Sequence, residues 1–131
     1  MAHISQVQHF NAPVEKQLGF AAIVQTGKTL HLAGIVAVDE ALNVVAPGDM
    51  AGQIARIYDI MEATLAMSGA TLRHVVNELI FVTDIGALVQ AGPARVQRYA
   101  QHAPPAATAV QVQALMFPAA MIEIQATAVL D

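Results

Sequence analysis

The sequence predicts an α+β fold in which two helices cover one face of a single sheet, and three observations lead there. Strand-like and helical segments follow one another in the order β(ββ)αβαββ. Met50, Ile54, Ile57, Met61 and Leu65 fall on one face of a helix. In the last two strand-like segments apolar and polar residues alternate with the two-residue period of a half-buried sheet. A length of 131 residues suits one domain, residues 1–131, built round one sizeable core.

In chain order, residues 3–10 form a weakly alternating first strand. Residues 20–25 and 29–36 make a β-hairpin whose turn is supplied by Thr26-Gly27. VDEALNVVAPGD reads as a loop, and Asp49 near its end as an N-cap whose carboxylate takes an orphan backbone N–H. The helix that follows covers about 50–68 and ends before Gly69, a favourable residue just past a helix. HVVNELIFVTD (74–84) is β-branched and apolar on both faces, which suits a central strand. A second helical segment covers 86–101 with Asp84 as its cap. Pro93, which has no N–H, should kink it or begin its main part. Pro104-Pro105 impose an extended loop, and strands at 107–115 and 121–130 follow, joined by a loop holding Pro118.

By parity, Ile122, Ile124, Ala126 and Ala128 share one side of the last strand, with Glu123, Gln125 and Thr127 on the other. Val110 and Val112 oppose Gln111 and Gln113, and Leu30 and Leu32 oppose His31 and Ala33. One sheet face is therefore expected to be apolar and helix-covered, and the other mixed polar. The mixed face either lines a wet cavity between subunits or is a plain solvent-facing surface.

The chain is 56% hydrophobic and only 12% charged, against about 25% charged in ordinary globular chains. No apolar run reaches the roughly 18 residues of a spanning helix, and the N-terminal MAHISQVQHF lacks the basic and apolar regions of a signal peptide. Such a charge-poor chain is expected to bury apolar surface in an obligate homo-oligomer. It has no cysteine, which excludes disulfides, thiolate nucleophiles and Cys-ligated zinc and suits a cytoplasmic protein. The net charge is −4 and the six Lys and Arg residues are scattered, without the basic stripe that nucleic-acid binding needs.

TGKT (26–29) resembles the end of a phosphate-binding loop, but position 22 is Ala and the segment sits in a hairpin. His3, His9, His31, His74 and His102 show no metal-ligand spacing, so no metal is expected. His31 reads most simply as a hydrogen-bonded structural residue, and His102 as a complement to a helix C-terminus. Asp59 and Glu62 read as solvated helix residues, and Ser5 and Ser68 lack a nucleophile elbow. Glu123, between Ile122 and Ile124, stands apart, because a carboxylate is costly to bury unless paired, neutralised or used. It is either a hydrogen-bonded interface or cavity residue, with Gln111, Gln113 or a neighbouring subunit as partner, or the acid of a site.

GKTLHLAGIVAVDE, SGATLRHVVNELIFVTDI, PPAATAVQVQAL and MIEIQATAVL together resemble the RidA (YjgF-like) reactive-intermediate deaminase family, from about Phe20 to the C-terminus. The resemblance implies a chorismate-mutase-like subunit with a mixed six-stranded sheet and two helices on one face. It also implies a homotrimer with pockets in the clefts between subunits. Family deaminases hydrolyse enamine and imine products of amino-acid dehydratases, releasing ammonia. In them an Arg in a Pro-Ala-Arg-Ser/Thr motif holds the substrate carboxylate, and a Glu in Ile-Glu-Ile-Glu-Ala positions or activates water. A Ser-Gly pair, a Tyr and an Asn complete the site. Carried over, the catalytic-type Glu is Glu123 and the Gly of the pair is Gly34. The Arg position is Ala107, the Ser position Ala33, the Tyr position Phe20 and the Asn position Gly92. Ala109 falls where the family uses a backbone carbonyl.

Without an Arg at position 107, hydrolysis of 2-iminopropanoate-type substrates by the Arg-dependent route is not expected. Loss of that neighbour leaves desolvation to raise the Glu123 pKa, which suits a general acid or base. Two readings follow. One is an imine or enamine deaminase, or related hydrolase, acting on a less anionic or larger substrate. The other is a non-catalytic trimer that binds or senses a small ligand. Both need a small-molecule partner and no cofactor, nucleic acid or membrane. The ribonuclease activity attached to the family name is disfavoured by the acidic charge.

Overall fold

In a computed structural model that describes residues 4–131, the chain forms a mixed seven-stranded sheet and three helices. His3, the first residue of the expected β1, lies outside the described residues. The elements are β1 (Ile4–Gln8), α1 (Ala12–Leu18), β2 (Ile23–Thr26), β3 (Thr29–Leu32), β4 (Ile35–Val36), α2 (Met50–Ala66), β5 (Val75–Val82), α3 (Ile85–Val96), β6 (Ala106–Gln111) and β7 (Ile122–Val129). Strand order is β1-β2-β3-β7-β5-β6, with β4 also against β7. Among the described residues only the β5–β6 pair is parallel, as its α3 crossover requires.

The hairpin forms where the sequence placed it. Thr26 pairs with Thr29 across Gly27-Lys28, and Gly27 takes the left-handed φ of +60° that such a short loop demands. Asp49 accepts from Gly52 N at 3.0 Å and starts α2, while Asp84 accepts from Ala87 N at 3.1 Å and starts α3. Pro93 lies inside α3 and does not begin it, since the helix already runs from Ile85. The carbonyl that its missing N–H leaves without a donor belongs to Val89, which is 74% exposed, so water can meet it.

Two expectations need correction. There are three helices, because α1 folds where a strand-to-hairpin connection was expected. Pro13 occupies its first turn and Gly19, at φ +81°, closes it. The sheet also has seven strands, because the segment expected as one strand over 29–36 breaks into β3 and β4.

The core lies on one sheet face. Ile122, Ile124, Ala126 and Ala128 of β7 are buried there with Leu30 and Leu32 of β3, and all five apolar residues of the α2 face are buried above them. Packing of that face, more than helix propensity, holds α2 in place. α3 contributes only partly buried alanines and Leu88, and β6 is exposed along its whole length.

A carboxylate sits inside this core. Glu78 of β5 is fully buried, and Arg95 of α3 reaches it with Nε at 3.0 Å and Nη2 at 2.5 Å. Tyr58 of α2 donates to both of its oxygens at 2.9 Å, and Tyr99, in a short 3-10 turn after α3, donates at 2.7 Å. The Arg95 guanidinium also lies 5.5 Å from the Tyr99 ring centre, and the two tyrosine rings meet edge to face at 5.9 Å. Burial, reinforced by the Glu78 charge, pushes both phenol pKa values far up, so both tyrosines remain donors. Burial opposes charge on Arg95, but its bond to Glu78 outweighs this and holds its pKa above the ordinary value.

Arg95→Met should therefore strand a buried charge and cost about 3 kcal/mol, the lower end of the usual range because Arg95 keeps 18% exposure. Chemical denaturation checks this, and adding Glu78→Gln should recover part of the loss. A loss under about 1 kcal/mol would assign the pair no stabilising role.

Candidate functional site

The site is built by a slip in strand pairing. His31 pairs with Thr127 and Ile35 with Ile124, so four steps along β3–β4 match three along β7. The extra residue falls at Ala33-Gly34, a bulge between two ladders. Ala33 N still bonds Ala22 O at 3.0 Å, which keeps the bulge against the β2 side.

Glu123 stands beside this bulge. Its cross-strand neighbours are Val36 and Phe81, whose side chains share its sheet face. Its carboxylate lies directly over Gly34, where any Cβ would overlap Oε2. Gly34 has no unusual φ, so a side chain there would act by pushing the Glu123 carboxyl aside, not by straining the backbone. Among the described residues the Glu123 carboxylate has no hydrogen-bond or ion-pair partner, and no buried side-chain nitrogen or oxygen lacks one, so its oxygens open to solvent in a cleft. Burial of the half-buried side chain raises its pKa, with no partner to oppose the shift.

The cleft has a volume of about 860 Å³. Apolar walls come from Leu18, Phe20, Val38, Met116 and Phe117, and Ala33, Gly34 and Glu123 lie on its floor. One chain thus brings together Phe20, Ala33, Gly34 and Glu123. Gly92 on α3 and Ala107 and Ala109 on β6 do not line it. Ala107 pairs with Glu78, on the helix-covered face, whereas Glu123 pairs with Phe81 on the opposite one.

Gln111 is likewise not a partner of Glu123. It pairs with Val82, on the core side of the sheet, and its side chain accepts from Ile85 N at 2.9 Å. The parallel pairing of β5 and β6 inverts the face assumed for β6, so Val110 shares the face of Phe81 and Glu123. His31 is exposed with Nε2 3.0 Å from Thr26 Oγ1, a structural contact. Asp59 and Glu62 are not simply solvated, since Arg98 bridges them at 3.1 and 3.0 Å.

Sequence reasoning passed over two residues of this cleft. Glu15 of α1 is buried, with His9 Nδ1 at 2.9 Å and backbone N–H groups of Phe10, Asn11 and Ala22 at 3.1, 2.6 and 3.0 Å. It is saturated and ties α1 to the hairpin. The Asn-Ala-Pro start and Gly19 were the available signal for its helix. Arg56 of α2 also lines the cleft, its Nε bonded to Val38 O at 2.8 Å.

The Endoribonuclease L-PSP family profile matches residues 11–130. A crystal structure of a Mycobacterium tuberculosis member of the YjgF/YER057c/UK114 family superposes with a TM-score of 0.81 at 27% identity, covering 95% of this chain and 98% of that one. This chain belongs to the RidA/YjgF superfamily. Among its RidA/YjgF relatives is Protein DfrA of Myxococcus xanthus, 38% identical over 109 residues, or 83% of this chain and 82% of that protein. The 3-aminoacrylate deaminase RutC of Acinetobacter baylyi is 34% identical over 102 residues, 76% and 77% of the two chains. No helix among the described residues is long and apolar enough to cross a membrane.

For this RidA/YjgF protein the raised Glu123 pKa has a stability consequence. Well below the ordinary carboxyl value of 4.5 the group is protonated in both folded and unfolded chains. As pH rises through the higher folded-state pKa, ionisation penalises the folded state and stability falls. Glu123→Gln should therefore gain stability relative to wild type from acid to neutral pH, with the gap closing below about pH 4. Denaturant midpoints across that range measure it, and a gap independent of pH would contradict the raised pKa.

Proposed function

We propose that this chain hydrolyses imines or enamines, releasing ammonia, with Glu123 as its general acid and base. The observation that carries the reading is an unpartnered carboxyl of raised pKa, poised over Gly34 in an apolar cleft. The upward shift makes it a better proton carrier than a free carboxyl. It would take a proton from water as the oxygen attacks the C=N carbon, giving a carbinolamine. Passing that proton to the nitrogen completes the carbinolamine. Taking the hydroxyl proton as the C=O bond forms, and returning it to the nitrogen as the C–N bond breaks, would then release ammonia and leave a carbonyl. An enamine enters the same route once its carbon is protonated to the imine. The named deaminase relative supports the reaction class and not a substrate.

The same reading assigns a homotrimer with the cleft completed between subunits. Ala107 and Ala109 lie away from the cleft in one chain, so a second copy must supply β6 for them to meet Glu123. The exposed length of β6, with Val110 at 42%, offers the surface. Sedimentation equilibrium should give three times the 13.8 kDa chain mass, and a monomer at micromolar concentration would exclude this arrangement.

Non-catalytic binding is the second reading, favoured by alanine at position 107, where the resemblance places the substrate-holding Arg. Ribonuclease activity, suggested by the family description, conflicts with a net charge of −4. Ammonia release from imines and enamines generated in situ separates the remaining two. Wild type should turn over, with Glu123→Ala and Gly34→Ala each losing about two orders of magnitude, the lower end for a general acid–base group. Inactivity of wild type, together with activity gained by Ala107→Arg, would support the binding reading.

A further inference from the structure

We infer that Arg56 is the anion anchor of this cleft, and that its ligands are organic acids whose carboxylate lies several bonds from the group facing Glu123. The inference rests on the cleft reading above and names the ligand class. Among the residues lining the cleft, Arg56 alone is Lys or Arg. It is half-buried on α2, and its Nε donates to Val38 O at 2.8 Å. That bond fixes the plane of the guanidinium. Neither terminal nitrogen has a hydrogen-bond or ion-pair partner among the described residues. A tethered guanidinium fork with free ends matches a carboxylate bidentately and gives up little side-chain freedom on binding.

The neighbouring acids do not occupy it. Asp39 accepts from the backbone N–H of Ala41 and of Asn43, both at 2.9 Å. The Asn43 bond leads in lowering its pKa, and the Arg56 charge adds least. Asp59 is bridged to Arg98, and Glu15 is saturated by its own donors. Glu40 also lines the cleft, but it is exposed and has no partner, so bulk water screens it.

Geometry sets the ligand's length. The Glu123 carboxyl lies over Gly34 and Val38 holds Arg56, four residues further along the chain, or at most about 13 Å of extended chain. In 2-iminopropanoate the carboxylate adjoins the C=N carbon and does not span that gap. An acid with a chain of several carbons between the two groups does, and the apolar wall of Phe20, Met116 and Phe117 suits the chain.

Straight-chain carboxylates from butanoate to octanoate and their primary amides, titrated into the assembled protein by calorimetry, test this. Hexanoate and its neighbours should bind roughly tenfold to a hundredfold tighter than the matching amides. Arg56→Gln should abolish that preference while amide binding persists. The wild-type ratio reads the anchor without any substitution, so a poorly folded variant leaves the test intact. Equal binding of acids and amides in wild type, or a preference that survives Arg56→Gln, would overturn the anchor and leave the cleft as a ligand site. If neither acids nor amides bind, the cleft reading falls together with the anchor.

Discussion

The buried carboxylate of Glu78 is the constraint round which this fold closes. A lone ionised carboxyl in an apolar core is too costly to persist, and three elements converge to hold it. Tyr58 comes from α2, Arg95 from α3, and Tyr99 from the turn beyond α3. Because Glu78 sits on β5, next to the edge strand β6, the same contacts fix α2 and α3 over the sheet and fix β5 between β6 and β7. The register of β5 with β7 then places Glu123 opposite Phe81, on the face away from the helices. An arrangement that moved Glu78 by one residue would turn every side chain of β5 over.

Three glutamates are drawn out of bulk water here, and each meets a different fate. Glu78 is neutralised by a guanidinium and two phenols, and Glu15 is saturated by backbone N–H groups and His9. Both are thereby committed to structure. Glu123 has neither kind of partner, and the glycine beneath it leaves room for its carboxyl. Residue type does not separate the three; the donors that the fold delivers to each do.

Local signals carried much of the architecture. The α2 face, both acidic N-caps, the Gly27 turn and the burial parity of β7 needed only neighbouring residues to be legible. The site was legible in part. Glu123 and Gly34 meet, with Ala33 and Phe20 in the same cleft. Ala107 and Ala109 were grouped with them through the resemblance, and within one chain they lie elsewhere. Parity failed for β6, because alternation orders faces within one strand but not between strands. The parallel crossover put Gln111 on the core side. Glu78 escaped notice because one acid in an apolar strand gives no local sign of partners that arrive from 17 to 21 residues away.

The sequence by itself determined the element order, the helix caps and the alternation of β7, since each follows from contacts a few residues apart. It also determined that Glu123 lies on the face opposite the core, because neighbouring side chains of a strand point to opposite sides. Only the tertiary structure decided whether that carboxyl had a partner. The one-residue bulge at Ala33-Gly34, the distant donors gathered by Glu78, and Arg56 brought from α2 to the Val38 carbonyl all depend on how separate elements register. Registry between elements is a property of packing, and local patterning does not contain it.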